Sequence, residues 1–248
     1  MKILVINPNI SETVSELILS EAKRTALPDT TITMVTAPIG VAYIETPSEA
    51  VVGAYAMLQL LAEHHENHDA VVVAAFGDPG VIAAKEVLDI PVVGLTESAL
   101  ATAFLLGGRF AIVGISQRIG AWYEQTVNNL GLSSRMIGYR GLKQGFSSVH
   151  MVQNEARDIL RDMCLSCIEQ DGADSIILAG APLAGLAREI EGDIPVPLID
   201  GVGSAIRMAE TLARGNYAPR RVGSLSPPPT KLHHGLMGNL SKLIGKQS

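Results

Sequence analysis

The residues in this sequence best suited to moving a proton sit just after its apolar runs. Tyr43 and Glu45 lie in AYIET at 42–46, and Asp78 lies in AAFGDPG at 74–80. A carboxylate can take a proton from carbon and a phenol can act as a weak acid, provided each reaches the reacting atom within hydrogen-bond distance. Each also has a plainer use. Glu45 precedes Thr46-Pro47 at a helix start, where the dipole favours acidic groups. Asp78 before Pro79-Gly80 reads first as a helix cap, and Tyr43 can simply pack. Groups able to hold an oxygen follow the same pattern. Asn9 in NPN can offer its amide to a carboxylate or imide, or make an Asx turn. Ile44 can wall a ring-shaped ligand. Phe76 and Gly77 present a ring face and a bare N–H at a helix start, where developing negative charge can be held.

Other polar groups read as structural. Cys164 and Cys167 fall on one face of the helical stretch EARDILRDMCLSCIEQDG together with Ile159, Leu160, Met163 and Ile168. With no second ligand pair, they read as small apolar residues of a buried stripe rather than a redox or metal site. The adjacent pairs His64–His65 and His233–His234 read as polar surface positions. His150, in GFSSVH, reads as an exposed loop residue. Glu97 is an alternative acid, and Asp200 in IDG reads as a loop or helix cap. No metal site is expected.

The elements that must position these groups come in two copies. AVVVAAFGDPG…DIPVVGLTESALATAFLLG, from Ala70, has a shorter counterpart in SIILAGAPLAG…DIPVPLIDGVGSAIRMAETLA, from Ser175. Sliding one over the other by about 105 residues places Ala75 over Gly180, in the manner of an internal repeat. Strands are expected at KILVINPN, TITMVTA, AVVVAAF and IPVVGL, then again at RFAIVGIS, SSRMIGYRG, SIILAGA and IPVPLI, with helices between them. That order predicts an α/β fold of two pseudo-symmetric Rossmann-like lobes, each with a four-stranded parallel sheet. Lobe one spans 1–106, lobe two 107–220, and 221–248 forms a C-terminal tail that packs back on the lobes. Ligands of such sheets collect beyond the carboxyl ends of the strands. Those ends carry Asn9, the 37–44 loop, Ala75 to Asp78, Ser116 and Gln117, and Gly180, Ala181 and Pro182. Ser116 and Gln117 stand opposite Asn9 by the duplication.

Bulk properties narrow the function classes. The 248 residues are 47% hydrophobic and 18% charged, which describes a compact fold rather than a disordered chain. A net charge of −6 without a basic cluster argues against nucleic acid or an anionic membrane as partner. No apolar run approaches a membrane span, and Met1–Lys2 leads directly into a strand, so a cytoplasmic location is expected. Aromatic content of 4% suits a pocket of aliphatic walls and backbone amides, and hence a compact polar ligand.

Five motifs together carry a resemblance. NPN at 7–9, AYIET at 42–46, AAFGDPG at 74–80, GAPLAGL at 180–186 and IPVPLIDGV at 194–202 resemble the Asp/Glu/hydantoin racemase superfamily, nearest its hydantoin and allantoin racemase branch. The resemblance implies a homo-oligomer, no cofactor, and a small substrate bound between two lobes. It also implies proton transfer by two cysteines, one per lobe, because inversion needs an acid and a base on opposite sides of a planar carbanion. Those cysteine positions map onto Ala75 and Gly180, which carry no ionisable group. Three readings stay open: a branch that racemises or epimerises with non-thiol groups, a small-molecule binder or inactivated member, or a chain whose thiols were removed to trap a ligand. One-sided chemistry in the same pocket, such as decarboxylation, elimination or ring opening, is the runner-up reaction.

Overall fold

The computed structural model describes residues 1–143, 148, 151–217, 219, 222–236 and 238–245. Lobe one runs β1 (Lys2–Asn7), α1 (Glu12–Thr25), β2 (Thr31–Thr36), α2 (Pro47–His64), β3 (Ala70–Val73), α3 (Val81–Val87), β4 (Val92–Gly94) and α4 (Leu95–Leu106). Lobe two repeats the order with β5 (Phe110–Gly114), α5 (Gly120–Asn129), β6 (Met136–Gly141), α6 (Val152–Glu169), β7 (Ser175–Ala179), α7 (Leu186–Ile190), β8 (Leu198–Asp200) and α8 (Gly201–Arg214). The two sheets have strand orders β2-β1-β3-β4 and β6-β5-β7-β8, all pairs parallel. The expected α/β architecture of two four-stranded parallel sheets is therefore present.

Alternation along the central strands builds two cores. Ile3, Val5, Ala70 and Val72 face one cluster, which continues through β5, β7 and α8. Leu4, Ile6, Val71 and Val73 face a second cluster under α2 and α3. A period of two on strands buried on both faces explains why these runs are uninterruptedly apolar. The first cluster is continuous across the lobes, because their last helices are exchanged. In addition to its own sheet, α4 packs on β7 and β8, and α8 packs on β3 and β4, with α4 and α8 against each other. After lobe two the chain returns to lobe one, where α9 (Gly238–Gly245) lies on α2 and buries Leu240 and Leu243.

One strand is shorter than its sequence suggests. AVVVAAF reads as a strand to Phe76, yet β3 ends at Val73. The Ala74 N–H still donates to Ile6 O, and then Gly77, Asp78 and Gly80 all take positive φ. Such a run cannot continue a pleated strand. Cys164 and Cys167 are buried on α6, and burial pushes the Cys164 thiol up to about 12. The Cys167 sulfur accepts from Arg140 Nε at 3.0 Å. Both are core residues away from the strand ends. Among the described residues no cluster of three His, Cys, Asp or Glu could hold a metal, and no helix is long and apolar enough to cross a membrane.

Candidate active site in the crevice between the lobes

The carboxyl ends of both sheets meet at one crevice. It is lined by Asn9, Tyr43, Ile44, Ala75 and Phe76 from lobe one, and by Ile115, Ile119, Tyr123, Gly180, Ala181 and Pro182 from lobe two. Positions 75 and 180 therefore share one space. Neither carries an ionisable group, and among the described residues the lining contains no thiol, carboxylate or imidazole. Its volume is about 20 Å³, room for roughly one water. A larger hollow of about 350 Å³ flanks β4, but it is mostly apolar, and its two charged residues, Lys85 and Glu97, neutralise each other at 2.7 Å. The crevice is where the polar groups of the strand ends converge.

In each lobe a half-buried carboxylate fixes the turn that supplies position 75 or 180. Asp78 Oδ1 accepts from the Thr96 N–H and Oδ2 from the Glu97 N–H, each at 2.8 Å. Thr96 Oγ1 in turn accepts from the Gly77 N–H at 2.5 Å. Asp200 does the same work in lobe two, accepting from the Gly203 N–H at 2.9 Å and from the Gly185 N–H at 2.7 Å. Each bridge ties the loop after the third strand to the start of the helix after the fourth, where free N–H groups need an acceptor. Burial, reinforced by the charge of Glu97, outweighs those N–H bonds and pushes the Asp78 pKa up to about 7. Burial likewise raises that of Asp200.

These bonds bear on several sequence expectations. Asp78, a base or a cap by sequence, has both oxygens engaged by helix N–H groups and lies outside the lining. The Gly77 N–H, expected to face an oxyanion, donates instead to Thr96. A side chain at Gly77 would collide with the Trp122 ring, so lobe two presses directly on this turn. Gln117 is turned to β6: its Oε1 accepts from the Gly141 N–H at 3.3 Å, and its own N–H donates to Leu142 O at 3.0 Å. Ser116 and Glu45 also lie outside the lining, but they meet each other. Ser116 Oγ donates to Glu45 Oε1 at 2.5 Å, joining the lobes at the loop that carries Tyr43 and Ile44. The helix-start role expected of Glu45 belongs to its neighbours. Thr46 caps α2, and Glu49 Oε2 accepts from the N–H groups of Glu45 and Thr46.

Asn9 is oriented by its surroundings. Its Oδ1 accepts from Asn7 Nδ2 at 3.1 Å and from the Ser11 N–H at 2.9 Å, so its Nδ2 is the end left for the crevice. The Asx turn and the lining position are thus the same residue. Burial and the nearby charges of Glu45 and Glu49 raise the Tyr43 pKa. His150 lies outside the described residues. Sequence reasoning placed Ile115 at a strand end but passed over Ile119 and Tyr123. The one signal was the spacing of Ile119, at the N-cap of α5, with Tyr123 and Val127 on that helix, all buried, which marks an inward face without saying what that face meets.

Gly180 is shaped differently from a truncated side-chain position. Its φ is +118° and ψ 130°, a conformation that L side chains rarely adopt. A Cβ there would meet nothing closer than Pro182 Cδ at 3.7 Å, so space is not the obstacle; backbone conformation is. From α6, Gln153 Nε2 holds this turn by donating to Pro182 O at 2.7 Å and Ala184 O at 3.1 Å.

Comparison with known proteins agrees with this geometry. The sequence profile of the Asp/Glu/Hydantoin racemase family matches residues 3–209. Hydantoin racemase of Paenarthrobacter aurescens is 32% identical over 233 residues, covering 93% of this chain and 99% of that protein. Hydantoin racemase of Pseudomonas sp. (strain NS671) is 32% identical over 243 residues, covering 98% of each. Among solved structures, allantoin racemase from Klebsiella pneumoniae superposes with a TM-score of 0.92 at 30% identity, covering 97% of this chain and 98% of that one.

Proposed function

This chain belongs to the Asp/Glu/hydantoin racemase family, and on that premise we propose that it is a cofactor-independent isomerase acting on a small hydantoin-, allantoin- or amino-acid-like compound. The observation that carries the reading is the shared crevice of Ala75 and Gly180, with an amide donor at Asn9 and phenols supplied from both lobes. Non-thiol groups then move the proton. Glu45 is the carboxylate nearest this task, because it already spans the lobes at the rim through Ser116. A ring-sized ligand does not fit a space of about 20 Å³, so its entry displaces the Tyr43–Ile44 loop and frees Glu45 from Ser116. Tyr43, kept protonated by its raised pKa, acts as a weak acid rather than a base. Asp78 stays in its capping role. The same premise carries a cytoplasmic location and a homo-oligomeric state, the latter checked by sedimentation.

The test is incubation with enantiopure hydantoins, allantoin and amino acids in deuterium oxide, following solvent deuterium at the carbon beside the carbonyl. Exchange with inversion supports the isomerase. Exchange without inversion supports the second reading, one-sided chemistry, which is favoured by a lining that offers donors and no base. Loss of a carboxylate as carbon dioxide, for example, starts without proton abstraction and needs one donor afterwards. Ligand stabilisation without exchange makes the chain a binding protein.

A further inference from the structure

Tyr123 is the most deeply held polar side chain in the crevice. Only 2% of its surface is exposed, and its ring is fixed on three sides. Phe76 of lobe one lies 4.8 Å away between centroids, Trp122 5.7 Å, and Tyr139 5.9 Å edge-on at 83°. The two neighbouring phenols differ in one respect. Tyr139 Oη donates to Ser116 O at 2.6 Å, whereas Tyr123 Oη has no hydrogen-bond partner among the described residues. It is not sealed away either: among the described residues the unpartnered side-chain polar atoms closed to solvent belong to Glu21, His68, Ser98 and Ser175, and Tyr123 Oη is not one of them. The little surface Tyr123 keeps therefore includes its hydroxyl, and the space it lines is the crevice. A phenol held this rigidly inside the protein without a partner is an unmet donor, and phenylalanine would pack as well at no polar cost.

We propose that Tyr123 donates its phenolic hydrogen to the substrate carbonyl oxygen next to the reacting carbon. The inference rests on the crevice being the substrate site. When Glu45 takes the proton from that carbon, the C–H electron pair moves into the carbon–carbon bond and the carbonyl π pair onto oxygen. Tyr123 then holds that oxygen by a hydrogen bond that strengthens as its charge develops. Return of a proton to carbon, to either face, restores the carbonyl and leaves Tyr123 unchanged. Burial, with the charges of Tyr139 and Asp78, raises the Tyr123 pKa well above its usual value, so the group stays a donor throughout the working range. Its setting on α5, wedged against the Phe76 turn, fixes the direction of that donation without any cost at the moment of reaction.

The experiment compares the wild-type protein with Tyr123→Phe in calorimetric titrations of hydantoin and of 2-imidazolidinone, the ring that lacks the carbonyl in question. The expected result is a roughly tenfold weaker affinity for hydantoin, about 1.4 kcal/mol, with 2-imidazolidinone unchanged and the thermal midpoint equal or higher. Deuterium exchange falls by at least the same factor. An equal change for both rings, or none for either, overturns the inference while leaving the proposed function standing. A wild-type protein that binds neither ring removes that function, and this inference with it.

Discussion

Restoring thiols at the two facing positions should expose an asymmetry that side-chain size alone does not foresee. Ala75 already carries a Cβ and does not take positive φ, so Ala75→Cys adds one sulfur at the crevice wall without backbone strain and should change stability by less than about 1 kcal/mol. Gly180 has φ +118°, and holding an L residue there costs roughly 1–3 kcal/mol. At about 2–4 °C per kcal/mol for a chain of this size, Gly180→Cys should lower the melting temperature by about 2–12 °C. Gly180→Ala should show the same loss, because the strain lies in the backbone. Thermal denaturation measures the difference. Thiol titration under native conditions confirms where the new sulfurs sit, since Cys164 and Cys167 are 0% and 1% exposed and should not react. The double variant then asks whether exchange with inversion rises. A Gly180→Cys protein as stable as Ala75→Cys would refute the argument that the chain has adapted its backbone to glycine at this site.

Four further substitutions probe the frame around the crevice. Gly77→Ala should destabilise by about 2–4 kcal/mol, through positive φ and collision with Trp122; Trp122→Leu in the same chain should recover part of it, and additive losses in denaturant melts would deny the contact. Ser116→Ala should cost about 1 kcal/mol and speed hydantoin binding in stopped-flow, since the Glu45 bond no longer holds the loop; an unchanged association rate counts against that loop as the gate. Asp78 has a folded pKa raised from 3.8 to about 7. Its stabilising contribution is therefore complete below pH 4 and is lost as pH rises through about 7, with Asp200 adding a slope of the same sign. Asp78→Asn should flatten part of that decline in denaturation midpoints between pH 4 and 8; an unaltered slope would show that Asp78 titrates as it does in the unfolded chain.

Periodicity made the sheets legible, and the duplication made positions 75 and 180 legible as partners. Continuous apolar runs ending in Gly/Pro turns can be read without knowing what they touch. The polar groups were less readable because their roles depend on partners distant in sequence. Asp78 is defined by N–H groups 18 and 19 residues away, and Glu45 by a serine 71 residues away in the other lobe. Tyr123 sits in an ordinary amphipathic helix whose inward stripe resembles any other. Only the closure of α5 onto the Phe76 turn turns part of that stripe into crevice wall.

The exchange of α4 and α8 bears on how the chain can be divided. A fragment ending near Gly107 would leave β3 and β4 without α8, and the remainder would leave β7 and β8 without α4. Each fragment would thus present bare apolar sheet to water while carrying a helix meant for its sibling. Splitting the gene at the apparent boundary should yield two insoluble halves that become soluble when made together, and heat should melt the intact chain in a single step.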